Sequence, residues 1–222
     1  MVSVSRWNMA CIKRDSLITL LEMVMGRLPD DERTEAWSLK FYSKSREYMK
    51  SLLAKSRMIG VKLVSVRGMT ATADVRAKVI NIFVVSDPYV NVEGLRSLFS
   101  YIQFRSIDIS ELELENVTDM SRWFQSCHKL KEVKFNRNTD FSKVRSIYEI
   151  FADCTSLRKV DLSFANFRSL ENAEMAFFNC RELESISVNK TFRPKSTACI
   201  FNLCSHKHEL ELEMRRNTGM VF

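Results

Sequence analysis

Residues 123–188 write one pattern three times: Phe-x-x-Cys-x-x-Leu-x-x-(Val/Ile)-x-(apolar). The copies are Phe124, Cys127, Leu130, Val133 and Phe135; then Phe151, Cys154, Leu157, Val160 and Leu162; then Phe177, Cys180, Leu183, Ile186 and Val188. Counted from cysteine to cysteine, the steps are 27 and 26 residues. Five apolar positions held in register over three copies mark a structural repeat. Such a unit buries its apolar face only against its neighbours, which excludes most folds. Weaker copies flank the three. Upstream, Leu98, Tyr101, Phe104, Ile107 and Ile109 fill the slots, with Tyr101 in the cysteine position. Downstream, Phe201, Cys204, Leu210 and Leu212 do so, with Lys207 where leucine is expected.

Within each unit the alternation after the leucine predicts a short strand: 107–109, 133–135, 160–162, 186–188 and 210–212. A polar turn follows. Apolar residues then recur at spacings of 3 and 4, as in Val117, Met120, Trp123 and Phe124, or Val144, Ile147, Ile150 and Phe151, which predicts a short helical piece. Strand plus helical turn, stacked five to six times at about 26 residues, gives the expected fold class. It is an α/β leucine-rich-repeat solenoid, a parallel sheet backed by short helices, with an N-terminal α-helical cap. Phe124, Cys127, Leu130, Phe151, Cys154, Leu157, Phe177, Cys180 and Leu183 form its expected core.

The expected division is a helical domain over residues 1–57 and repeats over 58–222. Asp15 or Ser16 caps a helix carrying Leu17, Leu20, Leu21, Val24, Met25 and Leu28, which Pro29 ends. Asp30, Asp31 and Glu32 then open a second helix with Trp37, Phe41, Tyr48, Met49, Leu52 and Leu53 on one face. At Met58 the period changes to two. Ile59, Val61 and Leu63 alternate, Val64 and Val66 continue out of register, and Val79, Ile80, Ile82, Val84 and Val85 give a further strand. These strands are expected at the N-terminal end of the same sheet, with Ile82 one repeat before Ile109.

The repeat resembles the BspA-like leucine-rich-repeat family through Val117-Thr-Asp-Met120-Ser-Arg-Trp-Phe124-Gln-Ser-Cys127-His-Lys-Leu130 and Ile150-Phe-Ala-Asp-Cys154-Thr-Ser-Leu157-Arg-Lys-Val160-Asp-Leu-Ser163. The likeness covers about residues 95–213 and implies a repeat fold that binds other proteins. Members of that family are often exported, and the apolar core of a secretory signal is absent here. A fainter resemblance links Leu20–Leu28, Asp31-Glu-Arg33 and Ser38-Leu39 to F-box leucine-rich-repeat proteins, with Lys40-Phe-Tyr-Ser-Lys44 replacing that box's valine, small residue and tryptophan. It implies docking of the helical domain on a ubiquitin-ligase adaptor.

Hydrophobic residues make up 45% of the chain, a globular value, and no apolar run approaches the roughly 18 residues of a membrane span. The net charge of +7 is confined to the N-terminal third: residues 1–78 hold 15 Lys+Arg against 8 Asp+Glu, and the remaining 19 of each sign cancel. That region therefore suits a nucleic-acid or otherwise acidic partner. Four of the six cysteines recur at one repeat position and read as buried, reduced thiols, which favours an intracellular location, cytoplasmic or nuclear.

No nucleophile–base pair and no phosphate-cradling glycine loop is signalled, so neither enzyme activity nor a cofactor is expected. Cys199, Cys204, His206 and His208 match no established zinc spacing, and Cys204 belongs to the repeat, so no metal is expected either. What remains is the outward face of the strands. Asp108, Glu132, Lys134, Lys159, Asp161, Ser187 and the acidic run Glu209, Glu211 and Glu213 form its expected partner-binding ladder. The expected function is non-catalytic protein binding on that face. An F-box-like substrate receptor and a structural subunit of a virion or ribonucleoprotein are the alternatives.

Overall fold

Trp37, Leu39 and Phe41 alternate with half-buried neighbours, and each is at most 1% exposed. That period of two places strand β1 (Ser38–Ser43) where a second helix is expected from the sequence. The computed structural model describes residues 14–28, 37–43, 64–66, 69–84, 97–112 and 114–221. The remainder of the expected second helix and the strand at 59–63 lie outside these residues.

Helix α1 (Arg14–Met25) buries Leu17, Leu20, Leu21 and Val24, as its spacing requires, and packs on strands β2 (Val64–Val66) and β3 (Met69–Asp74). It stops at Gly26, where an added Cβ would lie 3.0 Å from the Glu22 carbonyl oxygen. β3 runs antiparallel to β2 and to β4 (Val79–Val84), and the Asp74 carboxylate accepts the Ala77 N–H in the connecting turn. β5 (Ser106–Asp108) and β6 (Glu132–Lys134) complete a six-stranded mixed sheet in the order β2-β3-β4-β1-β5-β6. β7 (Lys159–Leu162) and β8 (Ser185–Val188) form a separate parallel pair.

β1 therefore sits between β4 and β5, parallel to both, with Ile80, Leu39 and Ile107 in one row. This corrects two expectations. Residues 38–43 belong to the sheet and not to a helical cap over 1–57, and β4 is one strand removed from β5 instead of preceding it directly.

The helical pieces expected before each cysteine are also absent. Two residues of every unit, four apart, take the left-handed conformation: Ser97 and Tyr101, Arg122 and Ser126, Glu149 and Asp153, Met175 and Asn179, Cys199 and Leu203, with φ from 52° to 64°. Alternate amides are thereby turned towards the next unit. The N–H groups of Met120, Arg122, Phe124 and Ser126 donate to the carbonyls of Ser146, Tyr148, Ile150 and Ala152 at 2.8–2.9 Å, while Trp123, Gln125 and Cys127 donate back within their own turn. The following units repeat the arrangement through Ile147, Glu149, Phe151 and Asp153, and through Ala173, Met175, Phe177 and Asn179. An α-helix spends its N–H groups inside itself; here half of them bond neighbouring units together. Parallel bridges at Asp119, Ser146, Asn172 and Ser196 extend the same ladder.

Inside, Phe99, Phe124, Phe151, Phe177 and Phe201 stack with centroids 5.1–5.6 Å apart and planes within 22°. The Phe99 stack corrects the register of the first unit. Phe99 and Ile102 occupy the phenylalanine and cysteine slots, and Tyr101 is 63% exposed on the left-handed turn. The cysteines stand beside the stack, each thiol donating to the phenylalanine carbonyl of the preceding unit. Cys127 bonds Phe99, Cys154 bonds Phe124, Cys180 bonds Phe151 and Cys204 bonds Phe177, at 3.0–3.1 Å. A methyl or isopropyl group would fill the slot but donate nothing, which gives a physical reason for thiols at this position.

At the C-terminal end no strand forms over 210–212. Helix α2 (Lys207–Thr218) lies against β8, burying Leu210, Met214 and Thr218 at i, i+4, i+8. The Glu213 carboxylate accepts the Ile186 N–H at 3.1 Å, satisfying one donor on the open edge of β8. Gly219, with φ 74°, closes the helix in the left-handed conformation, its N–H on the Arg215 carbonyl.

Candidate binding surface

Register fixes which polar side chains become neighbours. Lys40, Asp108 and Lys134 stand opposite one another on β1, β5 and β6, and Asp161 and Ser187 hold the same repeat position on β7 and β8. The row reads Lys, Asp, Lys, Asp, Ser. A second row, Ser38, Ser106, Glu132, Lys159 and Ser185, runs beside it. Buried Leu39, Ile107, Val160 and Ile186, with half-buried Val133, alternate with these residues on the inner face.

The alternating signs partly answer each other. Lys40 Nζ lies 3.9 Å from Asp108, and Lys134 Nζ lies 3.8 Å from Glu132. Arg137 reaches Asp161 at 2.8 Å and stacks over Phe164. The two aspartates are also turn formers. Asp108 Oδ1 accepts the N–H and hydroxyl of Ser110, and Asp161 Oδ1 those of Ser163. Burial alone would raise the Asp161 carboxyl, but the Ser163 hydrogen bonds and the Arg137 guanidinium hold it below its ordinary value. Glu132, Lys134 and Lys159 are the members most open to a partner; the first two side chains are each 56% exposed.

The structure gathers Asp108, Glu132, Lys134, Lys159, Asp161 and Ser187 on one face, and it removes the acidic run from it. Glu209, Glu211 and Glu213 sit on α2, where residues two apart point about 200° apart round the axis. Glu209 is exposed, Glu211 lies 3.8 Å from Lys207, and Glu213 holds β8. Lys40 is the member sequence reasoning missed. Its signal was the Trp37-x-Leu39-x-Phe41 alternation, which leaves residue 40 outward.

Across the left-handed turns lies another polar cluster, centred on Glu149, which is 9% exposed. Its carboxylate accepts from Arg122 Nε at 2.6 Å and Gln125 Nε2 at 2.9 Å, and Arg122 covers the Tyr148 ring. These bonds tie successive units and leave the carboxylate occupied.

Burial pushes the Cys127 thiol up to about 12 and that of Cys204 to about 11, and holds Cys154 and Cys180 well above the ordinary value. Cys199 alone among the described cysteines is exposed. In a Cys11→Ser background (residue 11 lies outside the described residues), iodoacetamide at neutral pH is expected to modify one thiol of the native protein, at Cys199. Peptide mass spectrometry should find the other four only after denaturation; native labelling at Cys154 or Cys180 would contradict their burial. The Cys204 thiol donates to the Phe177 carbonyl, and no group of three or more His, Cys, Asp or Glu among the described residues is placed to hold a metal ion.

A family described as "Mycoplasma protein of unknown function, DUF285" matches residues 76–208, more than half of the sequence. The chain belongs to the DUF285 family. The DUF285 segment begins in the turn between β3 and β4 and ends at the start of α2, so it takes in every stacked unit and both outward rows from β5 to β8, but not Ser38 and Lys40 on β1. Helix α1, strands β1–β3 and most of α2 lie outside it. No curated protein and no solved structure matches the chain. No helix among the described residues is long and apolar enough to cross a membrane.

Proposed function

We propose that this chain is a non-catalytic protein-binding module, a leucine-rich-repeat solenoid of BspA-like type whose outward strand face receives the partner. The observation that carries the reading is the row Lys40, Asp108, Lys134, Asp161 with Glu132 and Lys159 beside it. Charges of alternating sign, held at one repeat position on successive strands, discriminate between partners by pattern and not by bulk attraction. The five-ring stack and the inter-unit amide bonds support it by keeping that pattern rigid before binding, which lowers the ordering cost of association. Protonated, unpaired thiols support a reducing intracellular compartment.

The test is quantitative affinity capture with mass spectrometry, comparing the native chain with a Glu132→Lys, Lys134→Glu, Lys159→Glu variant. Recovery of the specifically retained protein is expected to fall at least about ten-fold, as reversed rim and core charges cost several kcal/mol. A Glu209→Lys change on α2 should leave recovery unaltered. Equal recovery by the triple variant would contradict the assignment of the face.

A further inference from the structure

On another side of the units, between the turns that follow the strands and the Asp119–Ser146–Asn172–Ser196 bridges, four cations converge on one cavity of about 330 Å³. Repeat geometry assembles them. Arg168 follows Phe167 and Arg193 follows Phe192, so the two hold equivalent positions in adjacent units. Arg145, Glu171 and Lys195 form the next column, linked through their backbones, since the Arg145 carbonyl accepts the Glu171 N–H and the Glu171 carbonyl accepts the Lys195 N–H. Leu170, 4% exposed, lines the cavity with Ser169.

Among the described residues that line the cavity, one carboxylate faces four positive groups. Glu171 Oε1 lies 3.1 Å from Lys195 Nζ. Arg193 gives one N–H to the Thr218 carbonyl at 3.0 Å, which anchors the guanidinium at the end of α2 and leaves its other donors open. Arg168 lies near Asp140, whose carboxyl is lowered chiefly by Ser142 hydrogen bonds and further by that guanidinium. Arg145 has no side-chain hydrogen bond or ion pair among the described residues. Uncompensated like charges at neighbouring repeat positions cost stability unless an anion joins them.

We propose that this pocket binds a soluble phosphate-bearing anion of diphosphate size. Three arginine forks and an ammonium group suit the several oxygens of such an anion, each able to accept from more than one guanidinium. A monocarboxylate would leave most of the positive charge unanswered, and the volume exceeds what one small ion fills. The pocket is separate from the strand face, so either assignment can fail without the other.

The experiment is calorimetric titration of the full chain with inorganic pyrophosphate at constant ionic strength, with citrate as a polycarboxylate control. A saturable 1:1 heat is expected for pyrophosphate, with citrate at least about ten-fold weaker, since bidentate arginine pairing favours phosphate geometry. The Arg145→Gln, Arg168→Gln variant should bind at least about ten-fold more weakly. Arg158→Gln with Arg181→Gln, which removes the same charge outside the pocket, should leave binding as in the native chain. No saturable heat, equal binding of citrate, or unchanged affinity in the Arg145, Arg168 variant would overturn the proposal.

Discussion

Replacing Phe151 by alanine is expected to lower the free energy of unfolding by about 3–5 kcal/mol, the largest effect of any single truncation in the repeats. Phe151 is fully buried and stacks on Phe124 at 5.1 Å and Phe177 at 5.6 Å. Its backbone N–H bonds Ala176 in the next unit, and its carbonyl accepts the Cys180 thiol. Neighbouring units meet at this ring from both sides, so the cavity left by alanine cannot close without disturbing two inter-unit ladders. Phe201 belongs to the last of the described units and joins one inter-unit interface of the stack, through Phe177, where Phe151 joins two, so Phe201→Ala should cost visibly less. Phe151→Leu, which keeps more of the volume, should fall between them. Urea unfolding monitored by tryptophan fluorescence measures all three. Equal costs for Phe151→Ala and Phe201→Ala would show that the stack does not act as one body.

Alkaline pH is expected to destabilise the chain steeply. A thiol whose folded pKa is raised keeps its proton in the native state when the unfolded chain has released it. Above the unfolded value of about 8.5, the unfolded state then binds fewer protons and stability falls as pH rises. For Cys127 the decline runs towards about 12 and for Cys204 towards about 11, with Cys154 and Cys180 also raised. Each contributes a slope of up to about 1.4 kcal/mol per pH unit within its window. Below pH 8 the same thiols impose no pH dependence. Tyrosine and lysine titrate in this range as well, so the informative quantity is the difference from Cys180→Ala, whose slope between pH 9 and 10.5 should be shallower by about one proton. Parallel pH profiles would contradict burial of that thiol.

The repeat and its core were legible because five apolar slots recur without drift: Phe124, Cys127, Leu130, Val133 and Phe135 lie inward or on the inner face together with their counterparts. The conformation between the slots was not. A left-handed turn usually announces itself with glycine, and here Arg122, Glu149 and Met175 adopt it because the inter-unit hydrogen bonds repay the strain. Spacings of 3 and 4 in Val117, Met120, Trp123 and Phe124 fit these turns as well as they fit a helix. Trp37 and Phe41 carried the same ambiguity, being four apart; Leu39 between them decides for a strand. At the C-terminus, Leu210 and Leu212 satisfied the repeat's alternation, while Leu210 and Met214 satisfied a helix. The helix prevails, burying Leu210, Met214 and Thr218 against β8, and Glu209, Glu211 and Glu213 leave the strand face with it. The pocket of Arg145, Arg168, Arg193 and Lys195 depends on two columns meeting sideways, which linear spacing does not display.

Residue-resolved hydrogen exchange in the native protein tests the stacked-unit account most directly. Amides that bond the next unit, at Arg122, Phe124, Ser126, Glu149, Phe151 and Asp153, are expected to exchange together and only through near-global opening. Exposed amides outside the ladder, such as that of Arg137, should exchange freely. Exchange at Arg122, Phe124 and Ser126 at the rate of an unstructured peptide, with the strands still protected, would contradict the account.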